Sequence, residues 1–278
     1  MNQSSSIKLY HGGTSVCSAK VRVGLAEKGL DWTGTILDLR AGDQFDPAYL
    51  KLNPNGVVPT LVDGDLVVLE SSLILEYIDG LSAQNPLMPT DPKAVVATRH
   101  WLLKCIDIHA AVNTLTFATI QRANILAAKT SDEIAAMIAR MPNPKAAAKR
   151  RDIIDNGLAS FHVEADFHTL LAMFTGMTAA LENAAWLAGE HHSMPDIALV
   201  AYLDRLDRLG FDGLWSSRFP HIGTWLAACR QRPSYVTAID AYTPAEQAEK
   251  MRNDGSEYWP ELESRWHAFL NKPSSHEA

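Results

Sequence analysis

The residues best placed for chemistry in this 278-residue chain are a hydroxyl and a thiol two positions apart, Ser15 and Cys17, in the run Thr14-Ser15-Val16-Cys17-Ser18. They follow a short apolar segment and the turn His11-Gly12-Gly13, and they open a stretch that reads as a helix to residue 28. The first turn of a helix offers unpaired backbone N–H groups and the positive end of the helix dipole, so an anion is favoured there. A thiolate is such an anion, and a thiol in that position has its pKa lowered. Position 20 is lysine, which removes Cys-x-x-Cys dithiol chemistry and leaves a monothiol mechanism open. The other cysteines, Cys105 and Cys229, lie in apolar helical stretches and read as small core residues.

The elements that must hold this turn follow from the apolar spacing. Residues 7–10 read as a strand and 15–28 as a helix, with Val16, Val21, Leu25 and Ala26 near one face. Residues 32–37 alternate as a second strand, and so short a crossover implies parallel pairing. A polar connection, 43–52, is irregular or weakly helical. Residues 57–62 and 66–69 then flank Asp63-Gly64-Asp65, a hairpin signal. A helix over 71–81, with Leu73, Ile74, Tyr77 and Ile78 as its buried stripe, closes a unit spanning 6–83.

Residues 85–92 carry three prolines in eight positions and read as an inter-domain linker. Beyond it, a second domain over 93–272 is all-helical in pattern. It has apolar-periodic runs at 94–128, 145–187, 197–209 and 219–231, the last stopped by Pro233. Ser193 with Asp196 three residues later resembles a capping box. A charged segment from 243 onward, with interspersed aromatics, reads as a packed helical extension that frays after Lys272.

Composition bounds the partners. A net charge of −7 without a basic stripe argues against nucleic acid. No apolar run approaches the roughly 18–20 residues of a membrane span, and residues 1–6 lack the apolar core of a signal peptide. Three widely spaced cysteines suit reduced thiols better than a disulfide framework or a zinc site, so a cytoplasmic protein without a metal is expected.

An α/β thioredoxin-like unit, a proline-rich linker and an all-α domain together resemble the cytosolic glutathione S-transferase superfamily. The match is carried in order by Ser15-Val16-Cys17-Ser18, Val57-Val58-Pro59-Thr60-Leu61, Glu70-Ser71 and Ser193-Met194-Pro195-Asp196. The N-terminal unit is most similar to the zeta class and to tetrachlorohydroquinone reductive dehalogenases, through Ser15/Cys17/Ser18, Gln44-Phe45 and Asn53-Pro54. Bacterial β-aryl-etherases are similar in style and length. The chain departs from the zeta pattern at Val57 and in a longer C-terminal domain.

The resemblance implies glutathione as co-substrate, no metal, a homodimer, and a small hydrophobic, aromatic electrophile, as in detoxification or aromatic degradation. It implies a glutathione site at Gln44, Val58, Pro59, Glu70 and Ser71, with a cis peptide before Pro59. Ser15 would stabilise the glutathione thiolate, or simply cap the helix. Cys17 would act directly, as a reductive dehalogenase or thioltransferase does, or stand beside the sulfur. A carrier that binds glutathione or a hydrophobic ligand without turnover is the remaining alternative. Leu115, Phe117, Gln121 and Trp215 are candidates for an electrophile pocket, and each is equally a core residue. His109 is either a general base or structural, and His191-His192 reads as a solvated loop; no arginine cluster for a dicarboxylate is evident near the expected pocket, Arg22 and Arg122 being the two that would have to serve.

Overall fold

The computed structural model describes residues 7–272; the expected polar start at 1–6 and the fraying after Lys272 lie outside the described residues. Strand β1 (Ile7–His11) leads through a glycine turn into helix α1 (Val16–Lys28), which Gly29 ends in the left-handed region at φ 64°. Strand β2 (Thr33–Ile36), the short helix α2 (Pro47–Leu50), strands β3 (Thr60–Asp63) and β4 (Leu66–Val68), and helix α3 (Ser71–Gly80) complete the first unit. The sheet order is β2-β1-β3-β4. Strand β1 runs parallel to β2 and antiparallel to β3, and β3–β4 is the expected hairpin.

Strand polarity gathers the chemistry at one edge. Strand β1 leaves toward Ser15 beside β2, which runs parallel, Ile36 pairing His11. Strand β3 begins at that same edge, Thr60 pairing Tyr10. Strand β4 returns there, Val68 pairing Leu61. The segments carrying Ser15, Gln44, Val58 and Glu70 therefore all leave one end of the sheet.

The rest is helical: α4 (Pro92–Ala118), α5 (Ile120–Ala128), α6 (Ser131–Ala139), α7 (Pro144–Asn156), α8 (Phe161–Leu181), α9 (Met194–Arg208), α10 (Pro220–Arg230), α11 (Pro233–Ala238), α12 (Ala245–Ser256) and α13 (Trp259–Leu270). Two expected runs are each divided. Residues 94–128 break at Thr119, whose hydroxyl donates to the Leu115 carbonyl and whose backbone leaves the helical region. Residues 145–187 break at Gly157 and end at Leu181. Pro233 opens α11 instead of merely stopping α10, because proline suits a first helical turn.

Helix α9 is the central post. Its Asp196 is fully buried and accepts from the N–H groups of Leu187 (3.0 Å) and Ser193 (3.0 Å) and from Trp225 Nε1 (2.8 Å). The extension does pack: Trp266 and Phe269 of α13 meet Phe167 of α8. Helix α1 lies between α3 on one side and α9 and α11 on the other. That two-sided packing buries Lys20 and Arg22 along with Val21 and Leu25, while Ala26, expected inside, is exposed. On α3 the stripe is also rotated: Leu75 is buried and Leu73 points out.

Candidate functional site

Ser15 is the N-cap of α1, and its Oγ accepts from the Ser18 N–H at 3.3 Å. The turn before it is pinned from two sides. Arg22 donates to the carbonyls of Gly12 (3.2 Å), Gly13 (2.9 Å) and Ala238 (2.8 Å), with its guanidinium 3.8 Å from the Tyr242 ring centre. Arg205 of α9 donates to the Thr14 carbonyl. Arg22 is thus spent on the backbone. Arg122 likewise donates to the carbonyls of Ile154 and Asp155, so both arginines weighed for a dicarboxylate are engaged by backbone.

Cys17 is half-buried, 3.8 Å from the Tyr202 hydroxyl. Burial pushes its thiol up, but the charge of His109, then that of Lys20, and the Tyr202 contact outweigh burial and bring it down to about 7. Reciprocally, the nearby Cys17 thiolate draws the His109 pKa up, against burial. Lys20 is completely buried and donates to Ser72 Oγ at 2.6 Å. Cys105 is buried and its thiol raised by that burial; Cys229 is buried and raised too, as expected of core cysteines.

A cavity of about 450 Å³ opens above Ser15, with His109, Asn113, Phe117 and Gln121 of α4 and α5 in its wall. Arg40, Lys129 and Arg205 also line it, and among the described residues no carboxylate does. Ser15 faces this space. Cys17 is not among its lining residues and packs toward the core beside Tyr202. His109, far from a purely structural histidine, joins the two: it lines the cavity and acts on Cys17. Of the other pocket candidates, Leu115 is buried in the core, and Trp215 is buried against Phe174. Nor is His192 solvated, since its ring packs on Trp186 and stands 3.9 Å from Glu27.

The cis Val58–Pro59 bond sits in a clamped loop. Asn53 Nδ2 (2.8 Å) and the Tyr49 hydroxyl (2.5 Å) both donate to the Val57 carbonyl. The same groups meet Thr60 Oγ1, at 3.1 and 2.8 Å, so the loop cannot drift from the sheet. Glu70, just before α3, holds φ at 66°, in a region a non-glycine residue rarely occupies without a functional constraint. Its side chain is exposed, and Ser71 supplies the first helical N–H. Gln44 lines a second space of about 320 Å³, which shares Leu39, Arg40, Phe117, Lys129 and Met137 with the first as wall residues.

Residues 14–81 match the family model described as glutathione S-transferase, N-terminal domain, and residues 162–233 that for the C-terminal domain. The chain belongs to the glutathione S-transferase superfamily. The first unit is similar to glutathione S-transferase Z1 of Arabidopsis thaliana, 46% identical over 85 residues, 31% of this chain and 38% of that protein. Over nearly its whole length the chain is similar to tetrachloro-p-hydroquinone reductive dehalogenase of Sphingobium chlorophenolicum. Identity is 26% over 238 residues, 84% of this chain and 95% of the other. The structure of the β-etherase LigF from Sphingobium sp. strain SYK-6 superposes with a TM-score of 0.76 at 26% identity, covering 85% of this chain and 99% of that one.

Several site residues escape sequence reasoning. Tyr202 lies within an apolar helical stretch, where it looks like packing, and Lys20 looks like a surface charge. Arg150 lies in the run Lys149-Arg150-Arg151, which reads as a solvated face.

Proposed function

We propose that the chain is a glutathione transferase in which the Ser15 hydroxyl stabilises the glutathione thiolate for attack on an aromatic electrophile. One observation carries this reading: Ser15 caps α1 through an oxygen lone pair, at the floor of a cavity that, among the described residues, three Lys/Arg cations and no carboxylate line. A hydroxyl that accepts from Ser18 keeps its own proton to donate. A sulfur within its reach gains that hydrogen bond, the positive helix end and the surrounding cations, all of which favour thiolate over thiol. The thiolate forms a C–S bond at the electrophilic carbon while the leaving group departs with its electron pair. Holding both reactants in one cleft supplies orientation.

In this reading glutathione extends along the sheet edge. The Val58 backbone pairs the cysteinyl peptide, Pro59 fixes that turn, Glu70 meets the γ-glutamyl ammonium and Ser71 with the α3 N–H groups meets its carboxylate. Gln44 meets the glycyl end. Residues 6–83 then form the glutathione domain and 93–272 the substrate domain. The names of the relatives, a reductive dehalogenase and a β-etherase, support an aryl halide or aryl ether as electrophile. A homodimer is favoured by Val96, Leu103 and Ile106, each more than 60% exposed at helical spacing along α4. A cytoplasmic location accords with the family's cytosolic members.

A second reading has its own observation. Cys17, brought down to about 7 beside His109, suits a thiolate that attacks a glutathionyl disulfide, taking the glutathionyl sulfur as a mixed disulfide while the other thiolate leaves, and is released when a second glutathione thiolate attacks that disulfide and forms oxidised glutathione. Product mass spectrometry separates the two. Wild type, Ser15→Ala and Cys17→Ala are each given glutathione with aryl β-ethers, chlorinated aromatics and glutathionyl disulfides. Thioether formation that survives Cys17→Ala and falls at least tenfold in Ser15→Ala supports the transferase. Loss of turnover in Cys17→Ala, with a trapped mixed disulfide in wild type, overturns it.

A further inference from the structure

The run Lys149-Arg150-Arg151 on α7 contains one cation unlike its neighbours. Lys149 pairs with Asp166 of α8 at 2.9 Å in a part-buried ion pair, and Arg151 with Asp155 one turn along α7 at 3.8 Å in an exposed one. Arg150 turns inward. Its guanidinium lies 3.0 Å from the Phe117 ring centre, and one Nη donates to Asn113 Oδ1 at 3.2 Å. The other, Nη1, is fully buried without a hydrogen-bond partner, and no carboxylate pairs with Arg150 among the described residues. Burial without a counter-ion pulls the group down to about 9.

Arg150 lines the 320 Å³ space, and its two partners, Phe117 and Asn113, line the 450 Å³ space above Ser15. Arg40 and Lys129 face both spaces, and Arg140, held by the Gly42 carbonyl at 3.0 Å, faces the smaller. Glu133 is the one carboxylate in the lining among the described residues, and it is engaged by the Thr130 N–H (2.7 Å) and hydroxyl (2.9 Å). A chain of net charge −7 has thus placed four cations around a space where no described carboxylate is free. A buried guanidinium with an orphaned N–H is satisfied best by a carboxylate, which accepts two parallel hydrogen bonds.

We propose that Arg150, seated on Phe117, binds a carboxylate on the electrophile, so that the substrate class is aromatic acids whose reacting carbon reaches the Ser15 cavity. This rests on the transferase reading for its chemistry, but the anion subsite itself does not. The same carboxylate chemistry could come from the glycyl end of glutathione, and the test separates the two sources.

The probes are 4-chloro-3-nitrobenzoate and its methyl ester. With either, the glutathione sulfur bonds to the ring carbon that bears chlorine, chloride leaves with the bonding pair, and the thiol proton goes to solvent. Kinetics are taken for wild type, Arg150→Met and Arg150→Lys. In Arg150→Met the acid is expected to lose at least ten times more kcat/KM than the ester, mainly through its KM, and Arg150→Lys to restore part of it. Equal losses for acid and ester would mean a structural role and overturn the proposal. A rise confined to the glutathione KM would also overturn it, by assigning the carboxylate to glutathione. Calorimetry with unreactive 3-nitrobenzoate needs no turnover. Binding at least tenfold weaker in Arg150→Met supports the subsite even where the transferase reading fails, and equal binding by both proteins refutes it.

Discussion

The Cys17–His109 pair gives the sharpest test of the site's electrostatics. A thiol with an ordinary value of 9.0 that titrates at about 7 is half thiolate at neutral pH. Without the shift only about one in a hundred would be ionised, each unit being worth roughly 1.4 kcal/mol between the two forms. Burial alone would drive the thiol the other way, so the lowering is owed to His109 first, then Lys20 and Tyr202. Replacing His109 by glutamine removes the largest of these while keeping a polar side chain of similar length. Burial is then opposed only by Lys20 and Tyr202, and the midpoint should rise by at least about one unit, cutting the thiolate fraction at pH 7 roughly fivefold. Iodoacetamide alkylation followed by peptide mass spectrometry reads this at Cys17 alone. Cys105 and Cys229 are buried with raised thiols and react far more slowly. The wild-type rate should climb with pH through a midpoint near 7, because the deprotonated form is the nucleophile. A wild-type midpoint near 9, or one unmoved in His109→Gln, would refute the reasoning.

Two further predictions concern the scaffold. Asn53→Ala removes donors to the Val57 carbonyl and Thr60 and is expected to cost about 2 kcal/mol, a fall in Tm of roughly 4–8 °C by thermal denaturation. Because the freed loop carries Val58, the glutathione KM should rise while kcat changes less. Gly255→Ala would put a Cβ 2.2 Å from the Leu209 carbonyl oxygen, forcing α12 off α9. A comparable loss of Tm, with faster proteolysis near residue 243, is expected. Gly80→Ala meets nothing within 4 Å and serves as the control that should leave Tm unchanged or slightly raised.

The order of elements was legible because each had a local cause: a short apolar segment for β1, alternation for β2, Asp-Gly for the hairpin, Ser193 and Asp196 at the start of α9. Ser15, Gln44, Val58 and Glu70 were legible as motifs, and the topology explains their company, since their segments leave the same edge of the sheet. Facing was not legible. The α1 stripe failed at Ala26 because α1 is buried from two sides, and Leu73 yielded to Leu75 because α3 is turned relative to a simple apolar count. Charges were least legible of all. Lys20, Arg22 and Arg150 look like surface residues in any window, and only long-range packing against Ser72, Ala238 and Phe117 makes them interior.

The geometry also divides labour between the two residues with which the chemistry began. Ser15 is outside the helix proper and looks into the cavity, whereas Cys17 is the second residue of α1 and turns toward Tyr202. A glutathione sulfur held above Ser15 would therefore meet a hydroxyl first and a thiol only through a change of position. His109 is the one group that addresses both, lining the cavity and charging Cys17. If the thiolate of Cys17 keeps His109 protonated, the cavity gains a further positive charge facing the substrate sulfur. Cys17→Ala would then weaken thiolate formation at Ser15 without Cys17 ever touching substrate. The signature is an upward shift in the pH profile of kcat/KM in Cys17→Ala that Cys17→Asp, which keeps the negative charge, partly reverses. A profile identical in all three proteins would show that Cys17 and the cavity are electrostatically independent.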